Sequence, residues 1–204
     1  MIKFYHGLIG NHQHFSATAT ALETFDLTGA AADIPFLEMD YAEILTHFAQ
    51  PSSTATVRIG NSIGCCLAMQ AAGPEDQIIL TAAPFDYGRG IVPLGKRSVE
   101  DWVASLYVRH GAVQNESAII DHAAEQVIGL ISNRSQIRRL RHYKASALSF
   151  WQDPALRRHE DRITFVIGKH DFTTPVDAFS DHVQRLLPKA RVLIWDNCGH
   201  AVSL

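Results

Sequence analysis

The sequence contains little cysteine, no long apolar run and no large excess of charge. Three cysteines occur in 204 residues, two of them adjacent at Cys65 and Cys66, which fits neither a disulfide framework nor a zinc site. The residues after Met1 lack the apolar core of a signal peptide, and no run is long enough to span a bilayer, so we expect a cytoplasmic protein without a membrane partner. The net charge of −3 gives no overall reason to expect nucleic acid.

The length and composition fit one globular domain with an insertion. Hydrophobic residues make up 47% and charged residues 19%, an ordinary balance for a folded protein. A chain of 204 residues can form one sizeable core but is short for two domains.

Strand and helix patterns alternate along the first ninety residues. The runs with strand character are 2–5, 35–39, 55–59 and 77–83. The runs with helical apolar spacing are 15–25, 41–48 and 63–71. Such alternation indicates βαβ crossovers and a parallel sheet covered by helices on both faces.

Residues 91–158 have a different pattern, with three helical stripes and no intervening strand. We interpret this segment as a helical cap inserted into a core formed by residues 1–90 and 159–204. The sheet pattern resumes with strands at 163–167 and 191–195, separated by a helix at 175–187.

A single serine, Ser62, stands between two glycines where the strand at 55–59 gives way to a helix. A turn this sharp strains its apex and crowds the residues two positions away, so glycine at 60 and 64 removes Cβ atoms that would clash. The serine hydroxyl would then project as a nucleophile. A plain Gly-Ser turn is the alternative. Cys65 is a weaker nucleophile candidate, because Ser62 occupies the apex.

Serine is a poor nucleophile at neutral pH unless a base takes its proton and a third group orients that base. Asp171 follows the strand at 163–167, and His200 follows the strand at 191–195. Because parallel strands end at the same edge of a sheet, we expect Ser62, Asp171 and His200 to meet there. Asp86, after the strand at 77–83, competes for the role of the acid.

These motifs resemble those of α/β-hydrolase-fold enzymes over most of the chain. The matching stretches are His6-Gly7, Gly60-Asn61-Ser62-Ile63-Gly64, Gly168-Lys169-His170-Asp171 with Pro175, and Cys198-Gly199-His200. The resemblance implies a three-layer α/β-hydrolase fold, with a shortened, mostly parallel sheet and a helical cap inserted before the acid-bearing strand.

The same resemblance implies roles for individual residues. Ser62 would be the nucleophile, His200 the general base and then acid, and Asp171 the group that fixes the tautomer of His200. The backbone N–H groups of Leu8 and Ile63 would form the oxyanion hole. No cofactor or metal is implied. The cap would cover the acyl pocket, with Trp102, Leu106, Tyr107 and Trp151 as candidate apolar walls.

Positive charge is concentrated near the end of the predicted cap. Against the single acid Asp153, residues 134–158 contain Arg134, Arg138, Arg139, Arg141, Lys144, Arg157 and Arg158. A solvated helix face is one explanation. Docking of an acidic carrier protein or an anionic acyl substrate is the other, a layout similar to that of the pimeloyl-carrier methyl esterase type.

The spacing of His12 and His14 can bind a metal, but no acidic or cysteine partner lies nearby, so we expect them at the mouth of the crevice or in solvent. The activity we expect is hydrolysis of a small-molecule carboxylic ester or thioester through an acyl-enzyme. Two alternatives stay open. The same fold and residues serve lyases that break carbon–carbon bonds, and a non-catalytic binding protein can share the fold.

Overall fold

The computed structural model describes residues 2–7, 34–35, 38–51, 54, 56–85, 124–125, 127–128, 133–171, 173–196 and 198–200. The strands are β1 (Ile2–Tyr5), β2 (Val57–Asn61), β3 (Gln77–Thr81), β4 (Ile163–Gly168) and β5 (Arg191–Trp195). The α-helices are α1 (Tyr41–Phe48), α2 (Gly64–Gln70), α3 (Arg134–Trp151) and α4 (Val176–Leu186), and a 3₁₀ helix spans Pro154–Arg162. Among these helices, none combines the length and apolarity needed to cross a membrane.

The five strands form one parallel sheet in the order β1-β2-β3-β4-β5. In one row across it, Gly60 pairs with Leu80, and Leu80 pairs with Phe165. Every strand therefore ends at the same edge, as the alternating pattern predicts. The predicted strands at 2–5, 163–167 and 191–195 are confirmed, the second extending by one residue to Gly168.

Alternate residues of the strands form the core beneath the helices. Ile78 and Leu80 of β3 and Phe165 and Ile167 of β4 are almost fully buried in one cluster with residues of all four α-helices. Full burial of such a side chain stabilises the fold by about 1.5–3 kcal/mol. Phe85, just after β3, belongs to the same cluster, and its ring centroid lies 5.4 Å from that of Phe165.

Helix α3 lies inside the range predicted as a cap, and the 3₁₀ helix crosses the end of that range, yet both contribute to the core of the sheet. Tyr143, Ala147 and Trp151 of α3 belong to the buried cluster. The ring centroid of Trp151 lies 4.7 Å from that of Phe85, and Trp151 is buried in the core; its suggested place as a wall of the acyl pocket stays a prediction. The cap itself stays a prediction, because most of residues 91–132 lie outside the described residues.

The described positions of the predicted strand at 35–39 form a turn. The backbone N–H groups of Glu38 and Met39 both donate to the carbonyl of Pro35, at 3.0 and 3.1 Å. This turn leads directly into α1. The start of α1 is held by the Asp40 N–H, which donates to the Glu43 carboxylate at 2.8 Å.

A charged residue, Arg58, is buried near the amino end of β2. Arg58 is fully buried, and its Nε lies 2.5 Å from Oδ2 of Asp76, just before β3. Its Nη1 donates to the Tyr5 hydroxyl at 2.7 Å. Asp76 also accepts the N–H groups of Thr56 and Gly73, each at 2.8 Å. The pair therefore ties together the amino ends of β2 and β3, opposite the edge where the strands end.

Candidate active site

Ser62 occupies a strained turn between β2 and α2. Its φ of 50° lies in the left-handed region, which costs a non-glycine residue about 1–3 kcal/mol. A Cβ at Gly60 would lie 2.6 Å from Cα of Cys65, and one at Gly64 would lie 2.2 Å from the Tyr5 carbonyl oxygen. The turn therefore needs both glycines of the motif, for the steric reason expected from the sequence.

Hydrogen bonds from β3 hold this turn in place. The Ser62 N–H donates to the Thr81 carbonyl at 2.9 Å. The Asn61 amide donates to the Thr81 hydroxyl at 2.9 Å, and that hydroxyl donates to the Gly60 carbonyl at 3.2 Å. Ser62 and the two residues before it are thus fixed to the neighbouring strand.

The cysteines of α2 are poorly suited to act as nucleophiles. Cys65 and Cys66 are fully buried. Burial raises the pKa of Cys65 well above its usual value and that of Cys66 to about 12, so both stay protonated at neutral pH. The Cys65 thiol donates to the carbonyl of Gly60 at 3.3 Å, a packing contact inside the turn.

The loops after β4 and β5 are joined by a continuation of the sheet ladder. The Lys169 N–H donates to the Trp195 carbonyl at 2.8 Å, and the His170 N–H donates to the Cys198 carbonyl at 2.9 Å. The approach is so close that a Cβ at Gly168 would lie 2.2 Å from the carbonyl oxygen of Gly199. This contact brings the loop that carries Asp171 against the loop that carries His200.

The structure brings the three predicted residues into one hydrogen-bonded series. Nε2 of His200 lies 3.1 Å from Oγ of Ser62, and Nδ1 of His200 lies 2.9 Å from Oδ2 of Asp171. An ionised carboxylate only accepts hydrogen bonds, so Nδ1 carries the ring proton and Nε2 is left to accept one. In this tautomer, His200 can take the proton of the Ser62 hydroxyl.

Asp171 is held ionised in a buried position. Its Oδ1 accepts the backbone N–H groups of Thr173 and Thr174, at 2.8 and 3.2 Å, and its side chain is fully buried. Burial alone would raise the pKa of Asp171. The nearby His200 and the hydrogen bonds from His200 and Thr173 outweigh that effect and hold its pKa below the usual value.

The end of β1 lies beside the turn that carries Ser62. A Cβ at Gly7 would lie 3.1 Å from Cβ of Ser62. The buried His6 accepts the Ile34 N–H at Nε2, at 2.6 Å, so its Nδ1 carries the ring proton and donates to the Gly7 carbonyl at 2.7 Å. His6 therefore holds the backbone next to the nucleophile candidate.

Of the two predicted oxyanion donors, Ile63 is described and Leu8 lies outside the described residues. Ile63 directly follows the turn, and its backbone N–H donates to no acceptor among the residues described.

Comparison with solved structures finds matches in backbone arrangement at low sequence identity. An alpha/beta hydrolase enzyme from the metagenome of sediments from the lagoon of Mar Chica, Morocco, matches with a TM-score of 0.57 and 19% identity, over 98% of this chain and 81% of that one. A serine hydrolase from the polyaromatic-hydrocarbon-degrading bacterium Cycloclasticus zankles matches with a TM-score of 0.58 and 14% identity, over 98% and 82%. A thermophilic esterase from Thermogutta terrifontis matches with a TM-score of 0.54 and 14% identity, over 98% and 82%.

The chain has the α/β-hydrolase fold. No family model matches its sequence, and no curated protein is similar to it. At such low identities, the likeness establishes the arrangement of strands and helices, and the chemistry must be argued from the site itself. On an α/β-hydrolase sheet, a serine between two glycines after a strand stands at the edge where the strands end, which is where Ser62 lies.

Several predicted residues of this α/β-hydrolase fold lie outside the described part of the chain. They are Leu8, His12, His14, Asp86, Trp102, Leu106 and Tyr107. Among the described residues, Asp171 is the acid that contacts His200.

The basic segment lies mainly on α3, and its residues differ in their surroundings. Arg134, Arg138 and Arg141 are exposed. Arg139 lies 3.6 Å from the Asp40 carboxylate. Arg157 is exposed, although its Nε donates to the Leu186 carbonyl at 3.3 Å. Arg158 Nε lies 2.8 Å from Nε2 of the buried His159. The side chain of Lys144 lies outside what the structure describes.

Sequence reasoning missed Thr173, whose hydroxyl lies 2.6 Å from both Oδ1 of Asp171 and Nδ1 of His200. The sequence around Thr173 predicts only the local turn in which it lies. An aspartate followed by Thr-Thr-Pro two to four positions later is typical of a turn in which the aspartate accepts backbone N–H groups. The contact of the threonine hydroxyl with a histidine 27 positions away cannot be read from that pattern.

Proposed function

We propose that the chain is a serine hydrolase that cleaves a carboxylic ester or thioester through an acyl-enzyme. The supporting observation is the hydrogen-bonded series from Ser62 through His200 to the ionised Asp171. This is the arrangement that turns a weakly nucleophilic hydroxyl into an attacking group. Esterase and serine hydrolase structures among the matches agree with this proposal.

In the acylation step, Nε2 of His200 takes the proton of the Ser62 hydroxyl while Oγ forms a bond to the carbonyl carbon of the substrate. The carbonyl oxygen becomes an oxyanion, and the N–H groups of Ile63 and Leu8 are the proposed donors to it. His200 then gives the proton to the leaving alcohol or thiol as its bond to the carbonyl carbon breaks. Asp171 stabilises the imidazolium that exists between these transfers.

In the deacylation step, water takes the place of the leaving group. His200 removes a proton from the water, whose oxygen attacks the acyl carbon of the Ser62 ester. When the bond between Oγ and that carbon breaks, His200 returns the proton to Oγ. The acid product leaves and the free hydroxyl is restored, so no oxidant, reductant or cofactor is consumed.

Hydrolysis of p-nitrophenyl acetate tests this proposal. Because the nucleophile and base act as one unit, Ser62→Ala and His200→Ala should each lower kcat/KM by at least about 10³-fold. Ser149→Ala, on the exposed surface of α3, is the matched control and should keep the wild-type rate. Equal rates in Ser62→Ala and Ser149→Ala would overturn the proposal.

We further propose that the acyl group or its carrier is anionic and approaches the exposed arginines of α3. The supporting observation is that Arg134, Arg138 and Arg141 are exposed in a chain whose net charge is −3. A local field of this kind attracts an anionic partner and raises its association rate.

Charge reversal separates this docking from a solvated helix face. The double variant Arg138→Glu/Arg141→Glu should raise KM for an acyl group on an acidic carrier protein by about 10-fold, while the rate on p-nitrophenyl acetate stays unchanged. Arg185→Glu, exposed on α4, is the control for a general change of charge. Equal effects of the two variants on the carrier-linked substrate would remove the docking proposal.

A further inference from the structure

The hydroxyl of Thr173 contacts both the acid and the base of the candidate site. Its Oγ1 lies 2.6 Å from Oδ1 of Asp171 and 2.6 Å from Nδ1 of His200. The distance to the carboxylate oxygen is typical of a hydrogen bond from a hydroxyl group to a charged acceptor. The carboxylate and the imidazole are therefore joined twice, once directly and once through this hydroxyl.

The direction of each hydrogen bond follows from the number of protons available. The Asp171 carboxylate, whose pKa lies below its usual value, has no proton to donate. Thr173 has a single hydroxyl proton and must donate it to Oδ1 of Asp171. A lone pair of Oγ1 then faces Nδ1 of His200 and accepts its N–H. The Nδ1 proton of His200 is thus shared between Oδ2 of Asp171, at 2.9 Å, and Oγ1 of Thr173.

The backbone holds Thr173 in place for this contact. Its own N–H donates to Oδ1 of Asp171 at 2.8 Å, the same oxygen that accepts its hydroxyl. The branched Cβ of threonine restricts rotation about χ1, which reduces the entropy lost in fixing the hydroxyl. The turn then leads through Pro175 into α4, which is anchored in the core by Phe179.

We propose that Thr173 is a positioning residue for His200. As a second acceptor for the Nδ1 proton, it holds the imidazole in the tautomer that leaves Nε2 facing Ser62 and limits rotation of the ring out of the plane of the Asp171 carboxylate. The consequence for turnover rests on the proposed function, whereas the effect on the Nδ1 proton does not. Thr173 acts through His200 and does not itself contact the substrate.

Three variants distinguish this role from simple support of the turn. Thr173→Val removes the hydroxyl and keeps the branched shape. Thr173→Ser restores the hydroxyl. Thr174→Val is the matched control in the same turn, because Thr174 contacts Asp171 through its backbone N–H alone. A role in turn stability would show as a similar fall in Tm for both valine variants.

The readouts are steady-state kinetics on p-nitrophenyl acetate and the proton NMR resonance of His200 Nδ1–H, assigned by its loss in His200→Gln. In Thr173→Val, we expect that resonance to shift and its exchange with water to become several-fold faster. We also expect kcat to fall by about 3- to 10-fold, the value of one hydrogen bond, with KM changed less than about twofold. Thr173→Ser should match the wild type in both readouts, and Thr174→Val should leave the Nδ1–H resonance of His200 unchanged.

An unchanged Nδ1 resonance in Thr173→Val, or the same change in Thr174→Val, would overturn the assignment. The NMR measurement is repeated in a Ser62→Ala background, where no acyl-enzyme can form. If Ser62→Ala retains full turnover while the resonance still responds to Thr173, then the proposed function has failed and the contact to His200 stands. If the resonance does not respond while Ser62→Ala is inactive, the role of Thr173 has failed alone.

Discussion

Oγ of Ser62 lies 3.1 Å from Nε2 of His200, although 138 positions separate the two residues in the sequence. Two local features produce this distance. The strained turn with glycine on both sides projects the hydroxyl from the end of β2. The extended ladder between the loops after β4 and β5 carries His200 over the edge of the sheet. The geometry of the site is therefore a consequence of backbone contacts that can be altered one at a time.

Gly168→Ala tests the contact that brings the acid loop against the histidine loop. The added methyl group would lie 2.2 Å from the Gly199 carbonyl oxygen and 2.3 Å from that of Cys198, so the backbone before His200 must move. Because a displacement of about 1 Å can cost on the order of 100-fold in rate, we expect kcat/KM to fall by 10- to 100-fold. Kinetics on p-nitrophenyl acetate measure this change. A wild-type rate in a folded Gly168→Ala protein would show that the close approach does not determine the site.

The assignment of the acid is tested by comparing Asp171→Asn with Asp86→Asn. Asparagine at 171 cannot stabilise the imidazolium and can favour the wrong tautomer of His200, so we expect kcat to fall by about 10²–10⁴-fold. Asp86→Asn should keep nearly the wild-type kcat, since Asp171 already contacts Nδ1 at 2.9 Å. The opposite ranking of the two variants would transfer the role to Asp86.

The buried pair of Arg58 and Asp76 should matter for stability and not for turnover. Asp76→Ala leaves the fully buried guanidinium of Arg58 without its carboxylate, and losses of this kind are about 3–5 kcal/mol. Asp196→Ala removes an exposed ion pair with Lys169, whose charged atoms lie 2.9 Å apart, and should lower the free energy of unfolding far less, because water screens that pair. Urea unfolding measures both variants. Similar losses in the two would contradict a special role for burial.

The stability of the fold should depend on pH through His159. Burial, with the charges of Arg158 and Arg162 adding to it, lowers the pKa of His159 to about 4. The unfolded chain, with the ordinary pKa near 6.5, therefore binds this proton more tightly. Above pH 6.5, the neutral His159 makes its full contribution to the free energy of unfolding. That contribution is lost as the pH falls toward 4, by about 1–2 kcal/mol between pH 6.5 and 5.

His159→Gln should remove that part of the pH dependence, measured as the free energy of unfolding at pH 7 and pH 5. The exposed His142 of α3 supplies the control, and His142→Gln should leave the difference between the two pH values as in the wild type. If the free energy of unfolding changes as much between pH 7 and pH 5 in His159→Gln as in the wild type, other groups cause the pH dependence.

Much of this arrangement was predictable because it follows from periodic patterns and from the geometry of parallel sheets. The helix at 41–48 is confirmed, and Ser62, Asp171 and His200 meet because each follows a strand that ends at the same edge. The glycines beside Ser62 were predictable because the steric need for them is local.

Other features depend on contacts between distant segments and could not be read in advance. Trp151 has the spacing of an apolar helix residue, but the sequence does not say whether that helix lies on the sheet or above the crevice. The place of Thr173 depends on how two loops approach each other. Arg58 did carry a signal, because a charged residue inside a buried strand requires a partner, but nothing local pointed to Asp76.

Covalent labelling with a fluorophosphonate tests the central claim most directly, because the reagent reacts with a serine hydroxyl only when a neighbouring base activates it. After digestion, mass spectrometry should find the phosphonate on Ser62, and both Ser62→Ala and His200→Ala should remain unlabelled under conditions that label the wild type completely. Absence of label on the folded wild-type protein, or label on another residue that persists in Ser62→Ala, would contradict the account.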